Sequence, residues 1–124
     1  MRLLLDTHAF LWWSEDNTRL GREARGAIEN SDEILVSVVS AWEVAIKSAL
    51  GKIALEVAFE RAIEINRFDK LILQFRHVDA VAKLPLHHGD PFDRMLIAQA
   101  QVEGLCIVTH DRNFEGYGVS TIWT

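Results

Sequence analysis

The stretch LPLHHGDPFDRMLIAQA, Leu84 to Ala100, reads as a turn feeding a helix, and its reading decides the rest of the chain. Pro85 and Gly89 punctuate the front. Asp90-Pro91 is a helix start, with Asp at the N-cap and Pro at the first helical position. Phe92, Met95, Leu96 and Ala100 then recur at helical spacing. Asp93 breaks the amphipathic pattern. It lies three and four residues before Leu96 and Ile97, so it shares their side and points inward. A carboxylate on an inward face must be paired, neutralised or holding a cation. Its plain alternative is a first-turn acid favoured by the positive end of the helix, beside Asp90 as a cap.

Working outward, Arg2–Leu5 reads as a buried strand ended by Asp6, followed by a helix from Thr7 to Trp13. Asn17 and Thr18 open a second helix over Arg19–Asn30. Ile34–Val39 reads as a second strand, and Ser40 starts a helix whose stripe Trp42, Ala45, Ile46, Ala49 and Leu50 is expected to be buried. A helix over Val57–Arg67, a strand over Leu71–Phe75 and a short helix over Asp79–Leu84 come next. After the helix that Asp90 opens, Leu105–Thr109 is a strand, Asp111–Phe114 a tight turn, and Val119–Trp123 an edge strand. Strands alternating with helices predict an α/β fold with a mainly parallel sheet, one domain over residues 1–124.

Ligands of such sheets bind beyond the carboxyl ends of the strands. Asp6 and Asp111 follow the first and fourth strands, and the helices opened by Ser40 and Asp90 begin at the same edge. Asp6, Glu43, Asp93 and Asp111 can therefore converge. Each has a local explanation. Asp6 can cap a helix, Glu43 can complete a Ser40-x-x-Glu43 capping box or pair with Lys47, and Asp111 can shape a turn. Together they would repel one another without a cation, and hard oxygen donors suit Mg²⁺ or Mn²⁺. His8, His77, His87, His88, His110 and Cys106 fit no closed zinc spacing. His87 and His88 read as loop residues.

The chain has 124 residues, a net charge of −5 and one cysteine. That charge argues against holding nucleic acid by bulk electrostatics. The lone Cys106 excludes an internal disulfide and suits a reducing cytoplasm. No apolar run reaches membrane-span length, so no membrane partner is expected, and Asp6 interrupts Leu3–Leu5 too early for a signal peptide.

Leu5-Asp6-Thr7-His8, Ser40-Ala41-Trp42-Glu43, the run Asp90 to Ala100 and Val108-Thr109-His110-Asp111 together resemble a PIN domain, and in particular the VapC-type toxins of bacterial toxin–antitoxin pairs. The resemblance covers nearly the whole chain. It implies a PIN-like fold and a Mg²⁺- or Mn²⁺-dependent ribonuclease that cleaves RNA to 5′-phosphate and 3′-hydroxyl ends. It implies a homodimer blocked by a cognate antitoxin. It places the catalytic, metal-holding acids at Asp6, Glu43, Asp93 and Asp111, with Asp90 an extra acid that either ligates or caps. Thr7 and Thr109 are expected to hydrogen-bond either the acids or a metal-bound water. Arg94, Arg112, Lys47 and Lys52 are candidates for phosphate contact. The alternatives are a metal-dependent phosphohydrolase of similar architecture and a PIN-fold module that binds without catalysis.

Overall fold

A computed structural model describes residues 1–124. Five parallel strands form one sheet in the order β3-β2-β1-β4-β5: β1 Arg2–Leu5, β2 Glu33–Ser37, β3 Asp69–Leu71, β4 Cys106–Thr109 and β5 Thr121–Trp123. β1 lies at the centre, with Leu4 opposite Leu35 on one side and Ile107 on the other. Leu3, Leu4 and Leu5 are fully buried, as a strand covered on both faces requires.

Six helices cover the sheet: α1 Thr7–Ser14, α2 Arg22–Asn30, α3 Val38–Ala49, α4 Phe59–Ile65, α5 Phe75–Ala82 and α6 Pro91–Glu103. Two cores result. Leu3, Leu5, Phe10, Ile28, Val36 and Val108 belong to one, and Leu4, Leu35, Leu96, Ile97, Ile107 and Phe114 to the other. No helix is long and apolar enough to cross a membrane.

Several boundaries differ from the sequence expectation. Asp6, Thr7 and β1 stand where expected, and α6 begins at Pro91 behind Asp90. Helix α2 begins only at Arg22, behind Gly21, because Asn17 accepts the Arg19 N–H on its side chain and shapes a turn instead of a helix start. Strand β2 stops at Ser37, whose hydroxyl accepts the Val39 N–H and caps α3, so no Ser40–Glu43 capping box exists. The expected strand Leu71–Phe75 is shifted: β3 ends at Leu71, and α5 starts at Phe75. Its start is fixed by the buried His77, which accepts the Gln74 N–H on Nδ1 and bonds Glu103 through Nε2 at 2.8 Å.

The largest correction concerns α3. Trp42, Ile46 and Leu50 face solvent, at 57%, 40% and 65% exposure, while Val39, Ser40, Glu43 and Val44 face inward. The apolar stripe is real but lies on the outer face. The inner face instead delivers two polar groups to the carboxyl edge of the sheet.

Candidate metal centre

Asp6 leaves β1 in extended conformation and caps α1, accepting the Ala9 N–H on Oδ1 at 2.8 Å. Its other oxygen, Oδ2, accepts the Thr109 hydroxyl at 2.6 Å. The same Thr109 oxygen accepts the Asp111 N–H at 3.0 Å, so the end of β4 ties two acids together. Asp111 also caps the short 3₁₀ turn Arg112–Phe114 by accepting the Asn113 N–H. Each cap engages one carboxylate oxygen: the second oxygen of Asp6 accepts from Thr109, and that of Asp111 makes no hydrogen bond.

Glu43 is buried on α3. Thr7 donates to its Oε1 at 2.7 Å and lies 3.0 Å from the Ser40 hydroxyl, while Lys47, one turn on, holds Oε2 at 2.6 Å. Asp93 sits in the first turn of α6 with its side chain 17% exposed. Its Oδ2 meets His88 Nε2 at 2.8 Å. Asp90 caps α6 with Oδ1, which accepts the N–H groups of Phe92 and Asp93. Beside the acids, Trp42 packs edge-on against Phe92 with ring centres 4.9 Å apart, locking α3 to α6 next to Glu43 and Asp93.

Electrostatics shows the convergence. Burial raises the Asp6 carboxyl to about 6, against the bonds from Thr109 and Ala9, and the charges of Glu43 and Asp111 add to the rise. Burial likewise raises Asp93 to about 6, against the His88 bond, with Asp90, Asp6 and Glu43 contributing. Desolvation outweighs mutual repulsion at both. The structure thus brings Asp6, Glu43, Asp93 and Asp111 within electrostatic reach of their neighbours and adds Asp90 on the Asp93 side. The donors are hard carboxylate oxygens in a like-charged group, with Asp6 and Glu43 buried, which fits a hard divalent cation.

The basic candidates fare unevenly. Lys47 is engaged with Glu43, which raises its ammonium pKa first through the hydrogen bond. Arg94 points away to the preceding loop, where Nη1 donates to the Pro85 carbonyl at 2.7 Å and Nη2 to those of Val81 and Leu84. Arg112 stacks over Trp123 at 4.1 Å and pairs with Glu115. Lys52 is exposed beyond α3.

A cleft of about 410 Å³ opens on the Asp6 and Asp111 side, lined also by His8, Trp12, Arg19, His110 and Arg112. Trp12 packs against both His8, tilted with ring centres 5.9 Å apart, and His110, edge-on at 5.5 Å. Sequence reading missed Arg19, which sits in the turn before α2 rather than in a helix, and it missed the contact of His88 with Asp93. The five-residue spacing of His88 and Asp93 across a helix N-cap was the available signal for the second.

Residues 3–119 match the model of the PIN domain. Ribonuclease VapC22 of Mycobacterium tuberculosis (strain ATCC 25618 / H37Rv) is 32% identical over 123 residues, 93% of this chain and 91% of that protein. Among solved structures, VapBC2 from Rickettsia felis bound to a DNA fragment from its promoter superposes with a TM-score of 0.72 at 13% identity, over 98% of both chains. DNA-bound VapBC from Salmonella typhimurium superposes at 0.70 with 18% identity, over 98% of this chain and 97% of that one. These two likenesses concern the fold.

Proposed function

Because the chain belongs to the PIN-domain family, we propose that it is a divalent-metal-dependent endoribonuclease acting as the toxin of a toxin–antitoxin pair. One observation carries this reading: Asp6, Glu43, Asp93 and Asp111, supplied by the ends of β1 and β4 and by α3 and α6, gather at the carboxyl edge of the sheet, with Asp6 and Glu43 buried and the charges of neighbouring acids felt at Asp6 and Asp93. A phosphohydrolase of the kind weighed above would want a second acid directly after β1 and a lysine after a late strand. Thr7 and Arg112 stand at those places.

Asp6, Glu43, Asp93 and Asp111 are the residues that would hold Mg²⁺ or Mn²⁺. The ion supplies Lewis acidity, polarising the phosphodiester and raising the acidity of the attacking water. The chain's own groups do the rest. Thr109 and the Ala9 N–H fix both oxygens of Asp6, and Thr7 and Lys47 fix both of Glu43. Asp93 keeps Oδ1 free of hydrogen bonds in the fold, which favours it over Asp6 for orienting the water. In-line attack on phosphorus would break the P–O3′ bond. Trp12, with His8 and His110, offers a stacking surface for unpaired bases, and Arg19 and Arg112 offer charge for phosphate.

Two partners follow. The solved VapBC complexes support a cognate antitoxin, and the exposed apolar residues support protein contacts. Trp42, Ile46 and Leu50 on α3, and Ile72, Leu73, Phe75 and Val78 before and within α5, are large apolar side chains exposed to solvent. We assign self-association into a homodimer and antitoxin binding to these faces. Light scattering on the isolated protein should give the mass of two chains.

The direct test is RNA cleavage by purified protein with Mg²⁺ or Mn²⁺. Cleavage should stop on adding EDTA and return with excess metal. Full activity in EDTA overturns the metal requirement.

A further inference from the structure

We propose that His88, with Asp90 and Asp93, adds a nitrogen-containing cation subsite to the acidic pocket, so that the pocket favours a first-row transition ion such as Mn²⁺ or Co²⁺ over Mg²⁺. This rests on the reading that the pocket holds a divalent cation, and it specifies which donors meet that cation on the α6 side. The three residues each present one ligand atom, and these atoms lie within 4.8 Å of one another. Ligands at right angles on one ion, each about 2.1 Å away, lie about 3.0 Å apart, and opposed ligands about 4.2 Å. His88 Nε2 and Asp93 Oδ2 are 2.8 Å apart, so this pair has the spacing of adjacent ligands, and the whole set needs only sub-ångström adjustment.

The donor atoms are available. Asp90 uses Oδ1 for the helix cap, which leaves Oδ2. His88 has a side chain 15% exposed, and its one hydrogen bond is the contact with Asp93 that an entering ion would replace.

His88 is also held in place by contacts outside the pocket. Arg94 binds the carbonyls of Val81, Leu84 and Pro85 from within α6, pinning the start of the loop. His87 packs edge-on against Tyr117 at 5.2 Å, and its ring lies against Gly116, where an added Cβ would come within 3.4 Å. The loop therefore presents His88 to Asp93 without further ordering, the condition for a ligand held by its supporting contacts. The chemistry then selects the ion. Carboxylates alone suit Mg²⁺, whereas imidazole contributes little to it and more to ions along the series from Mn²⁺ to Cu²⁺.

The test uses the full chain, stripped of metal, with Mn²⁺ and Mg²⁺ titrated separately by calorimetry and Mn²⁺ followed by pulsed electron paramagnetic resonance. Wild type should bind Mn²⁺ about tenfold or more tightly than Mg²⁺ and show ¹⁴N modulation from a directly bound imidazole. His88→Gln should weaken Mn²⁺ by about tenfold, change Mg²⁺ by less than about threefold, and abolish the modulation. Asp90→Asn, which keeps a strong N-cap, should also weaken Mn²⁺. His110→Gln, on the opposite side of the pocket, should retain the modulation. Circular dichroism checks that each variant is folded. Mn²⁺ binding without nitrogen modulation, unchanged in His88→Gln, overturns the subsite while the nuclease reading stands. Modulation lost in His110→Gln but kept in His88→Gln overturns it equally. Failure of both ions to bind wild type overturns both readings.

Discussion

Lys47 Nζ lies 2.6 Å from Glu43 Oε2, one helical turn away on α3, so the acidic pocket carries its own cation. The ammonium also feels the charges of Asp90 and Asp93. A divalent ion entering the pocket meets that positive charge. Lys47→Gln should therefore tighten Mg²⁺ or Mn²⁺ binding by a few-fold, although it removes a hydrogen bond from Glu43. Calorimetry at low salt measures it, and weaker metal binding in Lys47→Gln would contradict this role.

Asp6 and Asp93 govern the pH dependence of the metal-free fold. Both have folded pKa values of about 6, above the value near 3.9 of an unfolded aspartate. The fold binds these protons more tightly than the unfolded chain does. Their stabilisation is fully present below pH ~4 and is lost as pH rises through 6, at on the order of 3 kcal/mol for each group. Asp93→Asn removes one of these penalties and keeps an oxygen for His88. In EDTA at pH 7 it should melt higher than wild type, and Mg²⁺ should stabilise wild type more than the variant. Its RNA cleavage should fall by ~10²-fold or more. A metal-free variant melting well below wild type would sink this account.

Thr109 tests the support beneath Asp6. Thr109→Val removes the hydroxyl that donates to Asp6 and accepts from Asp111. Stability should fall by about 1–3 kcal/mol, read from urea melts. The Asp6 carboxyl, no longer held down by that bond, should rise further. The acid limb of the activity profile should shift to higher pH, and an unshifted limb would place Asp6 outside the reacting group.

Arg94 separates structural from substrate roles. Its guanidinium is tied to loop carbonyls and lies 3.5 Å from the Tyr117 hydroxyl. Arg94→Ala should lower stability by about 1–3 kcal/mol because it leaves those carbonyls without their donor. A variant of wild-type stability with raised KM for RNA would instead identify Arg94 as a phosphate contact.

Much of this was legible in the chain because local chemistry dictates it. Asp90-Pro91 specifies a helix start in any context, and Leu3-Leu4-Leu5 ending at Asp6 specifies a buried strand emerging at a polar edge. The face of α3 was not legible. Periodicity identifies Trp42, Ile46 and Leu50 as a stripe but does not say whether core or partner covers it. Ser37 and Ser40 are both competent caps, and the choice depends on where β2 must stop beside β1 and β3. The Leu71-Ile72-Leu73 run has strand character, yet β3 ends at Leu71 and Ile72 lies exposed. His88 was hidden for another reason: a loop histidine acquires meaning only when the turn folds back on its own helix.

The central strand β1 pairs with β4, which follows it only after the six helices and two strands between them have been made. Asp6 emerges within the opening residues, but Thr109 and Asp111 follow only after most of the chain. At about 5–20 residues per second, the 103 residues that separate Asp6 from Thr109 take roughly 5–20 s to translate. Through that interval Asp6 has no Thr109 hydroxyl to hold it and no Asp111 beside it. The hydroxyl that holds Asp6 is therefore one of the late contributions to the acidic edge, and a chain stopped short of Thr109 leaves that edge unfinished.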